Sequence, residues 1–218
     1  MKNLAEVPKS EQVEFIKSFD HVLCDLDGVI WTQYKPIPGA PECIDSIKRL
    51  GKRVHYVSNN STIQIENLKK ILDSIGIKTD VEDIIIPIIA IIDYLKRIKF
   101  DRDLYVIGMT EIKNALRKSG FIIGDEGISH CEESIPSMIT CISDNKNIGG
   151  VIIEFDINVN FMNIQKAITY LKRGDCIFVA GSSDARLPFG SHGILIGNTS
   201  TYVIVQLYCR KMPISLKV

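Results

Sequence analysis

One short stretch, Val22-Leu-Cys-Asp25-Leu-Asp27-Gly28, constrains this chain more than any other. An apolar run leads straight into two carboxylates two positions apart. On an extended chain such residues point to the same side. The spacing therefore predicts that Asp25 and Asp27 project together from the carboxyl end of a strand. Open α/β sheets bind their ligands at that end. Gly28 lets the chain turn sharply after the pair. The same letters also suit a plain acidic turn. The apolar strand before them and Val29-Ile-Trp31 after them favour a built site.

The rest of the chain alternates short apolar runs with helical periods, which predicts an α/β fold with a parallel sheet. Strands are expected at His21–Asp25, Val54–Val57, Leu104–Ile107, Val151–Ile153 and Ile177–Ala180. Helices are expected after Pro41 (Ile44, Ile47, Leu50), from Ile65 to Ile75, from Thr110 to Ser119, and through Phe161, Ile164, Ile168 and Leu171. Ser61 and Gln64 form a capping-box pattern ahead of the second of these. Ile84 to Ile92 is too short to span a bilayer and holds Pro87; it reads as a buried strand followed by a helix start. The expected layout is a first segment at 1–100, a second α/β segment at 101–198, and a final stretch at 199–218.

Two carboxylates side by side repel each other and favour a cation. A hard divalent ion such as Mg²⁺ would relieve the repulsion and screen an incoming phosphate dianion. One carboxylate then attacks phosphorus, while the other protonates the leaving oxygen and later activates water. A second group stands at the end of the second strand, Ser58-Asn59-Asn60-Ser61. There a hydroxyl, side-chain amides and backbone N–H groups meet a helix start, which suits a phosphate. Ser58 is the expected direct phosphate donor. Asn59 is expected to offer its N–H, and Asn60 to brace the aspartate loop. Taken alone, the same letters describe a capped helix.

Composition narrows the partners. Lys+Arg and Asp+Glu each total 26, so the formal net charge is zero. Nucleic-acid and anionic-membrane partners usually demand a basic excess, so neither is expected. The start, Met1-Lys-Asn-Leu, has no apolar signal region. Six scattered cysteines form no C-x-x-C pair, which suits a reducing compartment, the cytoplasm. Cys24 is expected as a buried thiol.

DLDGVIW, then PGAPE, then YVSNNS resembles the 4-nitrophenylphosphatase branch of the haloacid-dehalogenase superfamily, which includes phosphoglycolate phosphatase and chronophin. The likeness is specific over roughly residues 18 to 100 and continues more weakly to near 216. It implies a Rossmann-like parallel core with an inserted α/β cap, and a Mg²⁺-dependent phosphatase of small phosphorylated metabolites. It implies Asp25 as nucleophile and Mg²⁺ ligand, Asp27 as acid/base and Mg²⁺ ligand, and Ser58, Asn59 and Asn60 as the phosphate loop. Caps of this family also commonly pair two copies, implying a homodimer. Asp184-Ala-Arg186-Leu187-Pro188 is similar to the specificity stretch of phosphoglycolate phosphatase, and Arg186 suits an anionic substrate tail because guanidinium grips carboxylates in bidentate fashion. Leu187 replaces the histidine of chronophin-like enzymes. Asp156 aligns with the family's cap loop, but Glu154 replaces its glycine.

Two further family features differ. Lys217 falls about one position before the expected G-K-P lysine, and no G-D-x-x-x-[TS]-D follows it. The expectation is a first strand with an open apolar edge and poor turnover by these 218 residues. An alternative is therefore a catalytically impaired relative or truncated isoform that acts by binding or dimerisation. A receiver-like phospho-acceptor is a third reading, which the large inserted segment disfavours.

Overall fold

The computed structural model describes residues 4–60, 62–182, 184–188 and 194–216. The chain divides into two compact units: residues 1–58 with 65–85, and residues 59–64 with 86–218.

In the first unit, helix α1 (Lys9–Lys17) precedes strand β1 (His21–Asp25). A small hairpin, β2 (Trp31–Thr32) and β3 (Lys35–Pro36), follows the aspartates. Helix α2 (Ala40–Arg49) starts after Gly39 at φ +86°, with proline in its first turn. Strand β4 (Arg53–Val57), helix α3 (Ile65–Ser74) and strand β5 (Ile84–Ile85) complete the unit. The sheet order is β1-β4-β5, and every pairing is parallel. Each crossover carries one helix, the usual way to join parallel strands. Alternation sets two faces. Val54 and Tyr56 of β4 are buried, whereas Leu23 of the edge strand β1 is 71% exposed. Among the described residues, β1 is an edge strand of this sheet.

The second unit opens with helix α4 (Pro87–Arg97), whose Pro87 sits at the first helical position. Strand β6 (Asp103–Ile107), helix α5 (Thr110–Lys118), strand β7 (Ile123–Asp125) and helix α6 (Ile135–Cys141) follow. Then come β8 (Ile148–Ile153), α7 (Phe161–Leu171), β9 (Ile177–Ala180), the hairpin β10 (Arg186–Pro188) and β11 (Ile194–Ile196), helix α8 (Thr199–Cys209) and β12 (Ile214–Ser215). Five parallel strands run in the order β12-β9-β8-β6-β7. The central β8 is buried along its whole length, which explains its unbroken apolar run. Tyr105, Val151, Ile153, Ile168, Tyr170, Phe178 and Val205 form the core beside it. The fold is thus α/β with parallel sheets. Among the described residues, no helix is long and apolar enough to cross a membrane.

Candidate active site

Strand β1 ends at Asp25, and the chain then winds into a turn built on one carbonyl. Leu26 O accepts the N–H groups of Val29, Ile30 and Trp31, and Gly28 N–H donates to Trp31 O at 2.7 Å. Gly28 has φ +86°, a conformation that side chains disfavour. Leu26, Ile30 and Trp31 are buried, so they anchor the turn while Asp25 and Asp27 remain exposed. Leu26 N–H still donates to Val57 O, which holds the turn against the end of β4.

The i, i+2 rule ends where the strand ends. Asp27 is placed by two contacts of its own: Trp31 Nε1–H donates to Oδ1 at 2.9 Å, and Ser58 Oγ–H donates to Oδ2 at 3.4 Å. Asp25 Oδ1 accepts the N–H of Leu26 at 2.8 Å. Ser58 is 1% exposed and its N–H donates to Ile85 O, so the end of β5 fixes the end of β4. The first unit therefore gathers Asp25, Asp27 and Ser58 at the carboxyl end of a parallel sheet. Trp31 belongs with them. The sequence presented it only as an apolar residue after the aspartates; its spacing of four from Asp27 was the available signal.

The other expected residues lie in the second unit. Asn60 Oδ1 accepts from Thr62 N–H and Thr62 Oγ1–H. Asn59 shares that segment. Arg186 is exposed on β10, opposite Ile196 of β11. Ser61, named above in a capping-box pattern, and Lys217, named above beside the expected G-K-P lysine, lie outside the described residues. Cys24 is half-buried rather than enclosed; desolvation, then the nearby Asp25 charge, push its thiol up.

Glu154 is the second residue whose role the sequence hid. It is 1% exposed at the end of β8, and its carboxylate accepts N–H groups from Phe155 at 3.0 Å and Ser182 at 2.8 Å. Any Cβ on Gly181 would lie 1.3 Å from Glu154 Oε1, so glycine there makes room for the carboxylate. Asn198 Nδ2 donates to Ile153 O and Ser182 O alongside. Glu154 thus fastens the end of β8 to the end of β9.

Residues 22–122 match the family model described as haloacid dehalogenase-like hydrolase. The chain is 29% identical over 189 residues to a 4-nitrophenylphosphatase of Schizosaccharomyces pombe, covering 82% of this chain and 61% of that protein. It is 32% identical over 178 residues to the chloroplastic phosphoglycolate phosphatase 1A of Arabidopsis thaliana, covering 79% and 48%. Among solved structures, a 4-nitrophenylphosphatase from Thermotoga maritima superposes with a TM-score of 0.73 at 16% identity, covering 92% of this chain and 69% of that one. A p-nitrophenyl phosphatase from Archaeoglobus fulgidus gives 0.72 at 23% identity, covering 90% and 67%. The chain thus spans about half to three fifths of the length of these two curated relatives.

Proposed function

Taking this chain as a relative of the haloacid dehalogenase-like hydrolases, we propose that it hydrolyses small phosphomonoesters, such as 4-nitrophenyl phosphate and phosphoglycolate-like esters, through an aspartyl-phosphate on Asp25. The observation that carries this reading is the bond from Ser58 to Asp27 beside the exposed carboxylate that ends β1.

Asp25 attacks phosphorus and the ester oxygen departs. Asp27 delivers a proton to that oxygen from Oδ2, because Oδ1 is engaged by the Trp31 indole. The same Oδ2 then takes a proton from the water that hydrolyses the acyl phosphate. Ser58 Oγ–H turns from Asp27 to a phosphate oxygen, and Asn59 and Asn60 complete the phosphate loop.

Asp25 and Asp27 supply the hard oxygen donors that suit Mg²⁺, which keeps several waters and needs few carboxylates. Held by these two residues, Mg²⁺ would screen the phosphate dianion from the Asp25 carboxylate. Arg186 would select a carboxylated tail, and residues 101–198 would act as a cap through which two copies pair. The substrate would be a small cytosolic metabolite. A second reading is a catalytically impaired relative that acts by binding or dimerisation: the Ser58 hydroxyl beside Asp27 offers a phosphate donor whether or not turnover follows.

The test is to react the chain with labelled 4-nitrophenyl phosphate and Mg²⁺, quench in acid and map the label. Label on Asp25 is expected, with both label and turnover lost in Asp25→Asn. Label elsewhere, or unchanged turnover in that variant, would sink the nucleophile assignment. Phosphate binding with no release of 4-nitrophenol would favour the second reading.

A further inference from the structure

In the second unit, the chain that leads from β9 to Arg186 is tied down from two sides. Strand β9 ends at Ala180, and Gly181 N–H donates to Ile153 O at 3.3 Å. Ser182 follows, 4% exposed, with its N–H on Glu154 Oε1 at 2.8 Å. Its carbonyl accepts Asn198 Nδ2–H at 3.0 Å, and its hydroxyl donates to Asp184 Oδ2 at 2.8 Å. Further on, Thr199 N–H donates to Asp184 O at 3.3 Å and Gly197 N–H to Ala185 O at 3.0 Å. A Cβ on Gly197 would lie 1.9 Å from Asp184 O, so the two chain segments run closer there than a side chain allows. Arg186 then pairs with Ile196 in the hairpin, and its side chain is exposed.

Glu154 supplies the tie from the β8 side. Its own N–H donates to Ile107 O at 2.8 Å, so the end of β6 fixes its backbone. Oε2 accepts Phe155 N–H and Oε1 accepts Ser182 N–H, so both carboxylate oxygens are engaged. An amide in the same place keeps one acceptor and sets an NH₂ donor against an N–H donor. A buried donor that loses its acceptor is costly, and the chain that carries it shifts to find another. The room for Oε1 comes from Gly181, where a Cβ would lie 1.3 Å from that oxygen.

We propose that Glu154 is a positioning residue for substrate choice: by holding Ser182 N–H it fixes the chain that leads into β10, and with it the place from which Arg186 offers its guanidinium to a carboxylated ester. This rests on the reading that Arg186 selects such a tail. Glu154, 1% exposed, acts through the backbone and not on the substrate. A bidentate grip needs a guanidinium fork held at a fixed distance and angle. Misplacing a binding group by about 1 Å is enough to weaken what it does. The bonds from Gly197 and Thr199 hold the hairpin and the start of α8 to each other, whereas the Glu154 bond holds them to the end of the central strand.

The experiment compares the full chain with two variants, each made alone and on an Arg186→Ala background. Glu154→Gln removes one acceptor; Gly181→Ala keeps the carboxylate but drives it from Ser182. Steady-state kinetics are read with phosphoglycolate and 4-nitrophenyl phosphate. In each variant KM for phosphoglycolate should rise about two- to tenfold, the scale of one hydrogen bond, with kcat little changed and 4-nitrophenyl phosphate kinetics unaltered. On the Arg186→Ala background neither change should raise KM further, because both act through the same group. Brief trypsin treatment, read by mass spectrometry, should cut faster after Arg186 in both variants, with cleavage after Arg173 unchanged. If Arg186→Ala raises KM for phosphoglycolate and neither variant does, this inference falls and the reading of Arg186 stands. Equal losses on both esters, or unchanged cleavage after Arg186 in both variants, would also overturn it. If Arg186→Ala leaves phosphoglycolate kinetics unaltered, the reading of Arg186 fails first and this inference falls with it.

Discussion

Trp31 donates its indole N–H to Asp27 Oδ1 at 2.9 Å, so a fully buried ring orients an exposed carboxylate four residues before it. The ring is buried, as are Leu26 and Ile30 of the same turn, and its N–H reaches the exposed carboxylate. A charge-assisted bond of this kind is worth about 1.5–3 kcal/mol. In the proposed mechanism it leaves Oδ2 as the oxygen that would give and take the proton.

Trp31→Phe keeps an aromatic ring in the turn but removes the donor. The expected outcome is a loss of roughly tenfold in kcat/KM for an alkyl phosphate, about 1.4 kcal/mol. The loss on 4-nitrophenyl phosphate should be smaller, because that leaving group needs little protonation. Steady-state kinetics on both esters, with a thermal melt as a check on folding, tests this. Equal losses on the two esters would assign the effect to packing.

Asp27→Asn removes the proposed proton donor itself. A positioned general acid contributes about 10²–10⁴-fold, so alkyl phosphates should lose that much and 4-nitrophenyl phosphate much less. Phosphorylation of Asp25 by the activated ester should persist while its hydrolysis slows. The labelled acyl phosphate should therefore accumulate in acid-quenched samples. A variant with no accumulated label and equal losses on both esters would count against the acid/base role.

Much of the fold is legible because its elements carry periodic burial. Helix α7 shows its stripe in Ile164, Ile168 and Leu171, and β8 shows the apolar run of a strand covered on both faces. The missed elements lack such a pattern. Helix α6 buries no residue, and α8 is apolar around most of its circumference yet buries only Val205, so neither offers one polar and one apolar face. The placement of polar side chains divides in the same way. Asp25, Asp27 and Ser58 follow from strand ends and turn residues in the sequence. Trp31 and Glu154 do not, because their roles depend on donors and acceptors met only after folding. The Ser182 N–H that Glu154 accepts lies 28 residues further on.

Arg186→Ala tests the proposed choice of substrate. The side chain is exposed on the β10–β11 hairpin, so its loss should leave folding intact. The expected outcome is a fall of roughly tenfold in kcat/KM for phosphoglycolate, the scale of one charged hydrogen bond, with 4-nitrophenyl phosphate unchanged. A parallel fall on both esters, or none on phosphoglycolate, would remove Arg186 from specificity.

The stability of the second unit should respond to acid through Asp125. Asp125 at the end of β7 accepts from Lys166 Nζ at 2.6 Å, from Tyr170 Oη, and from Gly127 N–H at 2.9 Å. The Asp125 and Lys166 side chains are only 12% and 13% exposed. Burial alone would raise the Asp125 carboxyl, but the bonds from Lys166, Tyr170 and Gly127 outweigh it and hold the group below the usual carboxylate range. A depressed folded value means that the carboxylate stabilises the fold above its unfolded value, about 3.9, and that this contribution is lost as pH falls through the folded value. Asp125→Asn leaves the Lys166 ammonium largely buried without its counter-charge, a change that costs about 3 kcal/mol. Urea unfolding, read by hydrogen exchange at the amides of β6 and β8, should show that cost at pH 7. The gap between the variant and the unsubstituted chain should narrow as the pH falls below about 4 and on through the lower folded value, closing once Asp125 is neutral in both folded and unfolded chains. A gap of equal size at pH 7 and well below pH 4 would mean that packing around Tyr170, not the charge on Asp125, supplies the stability.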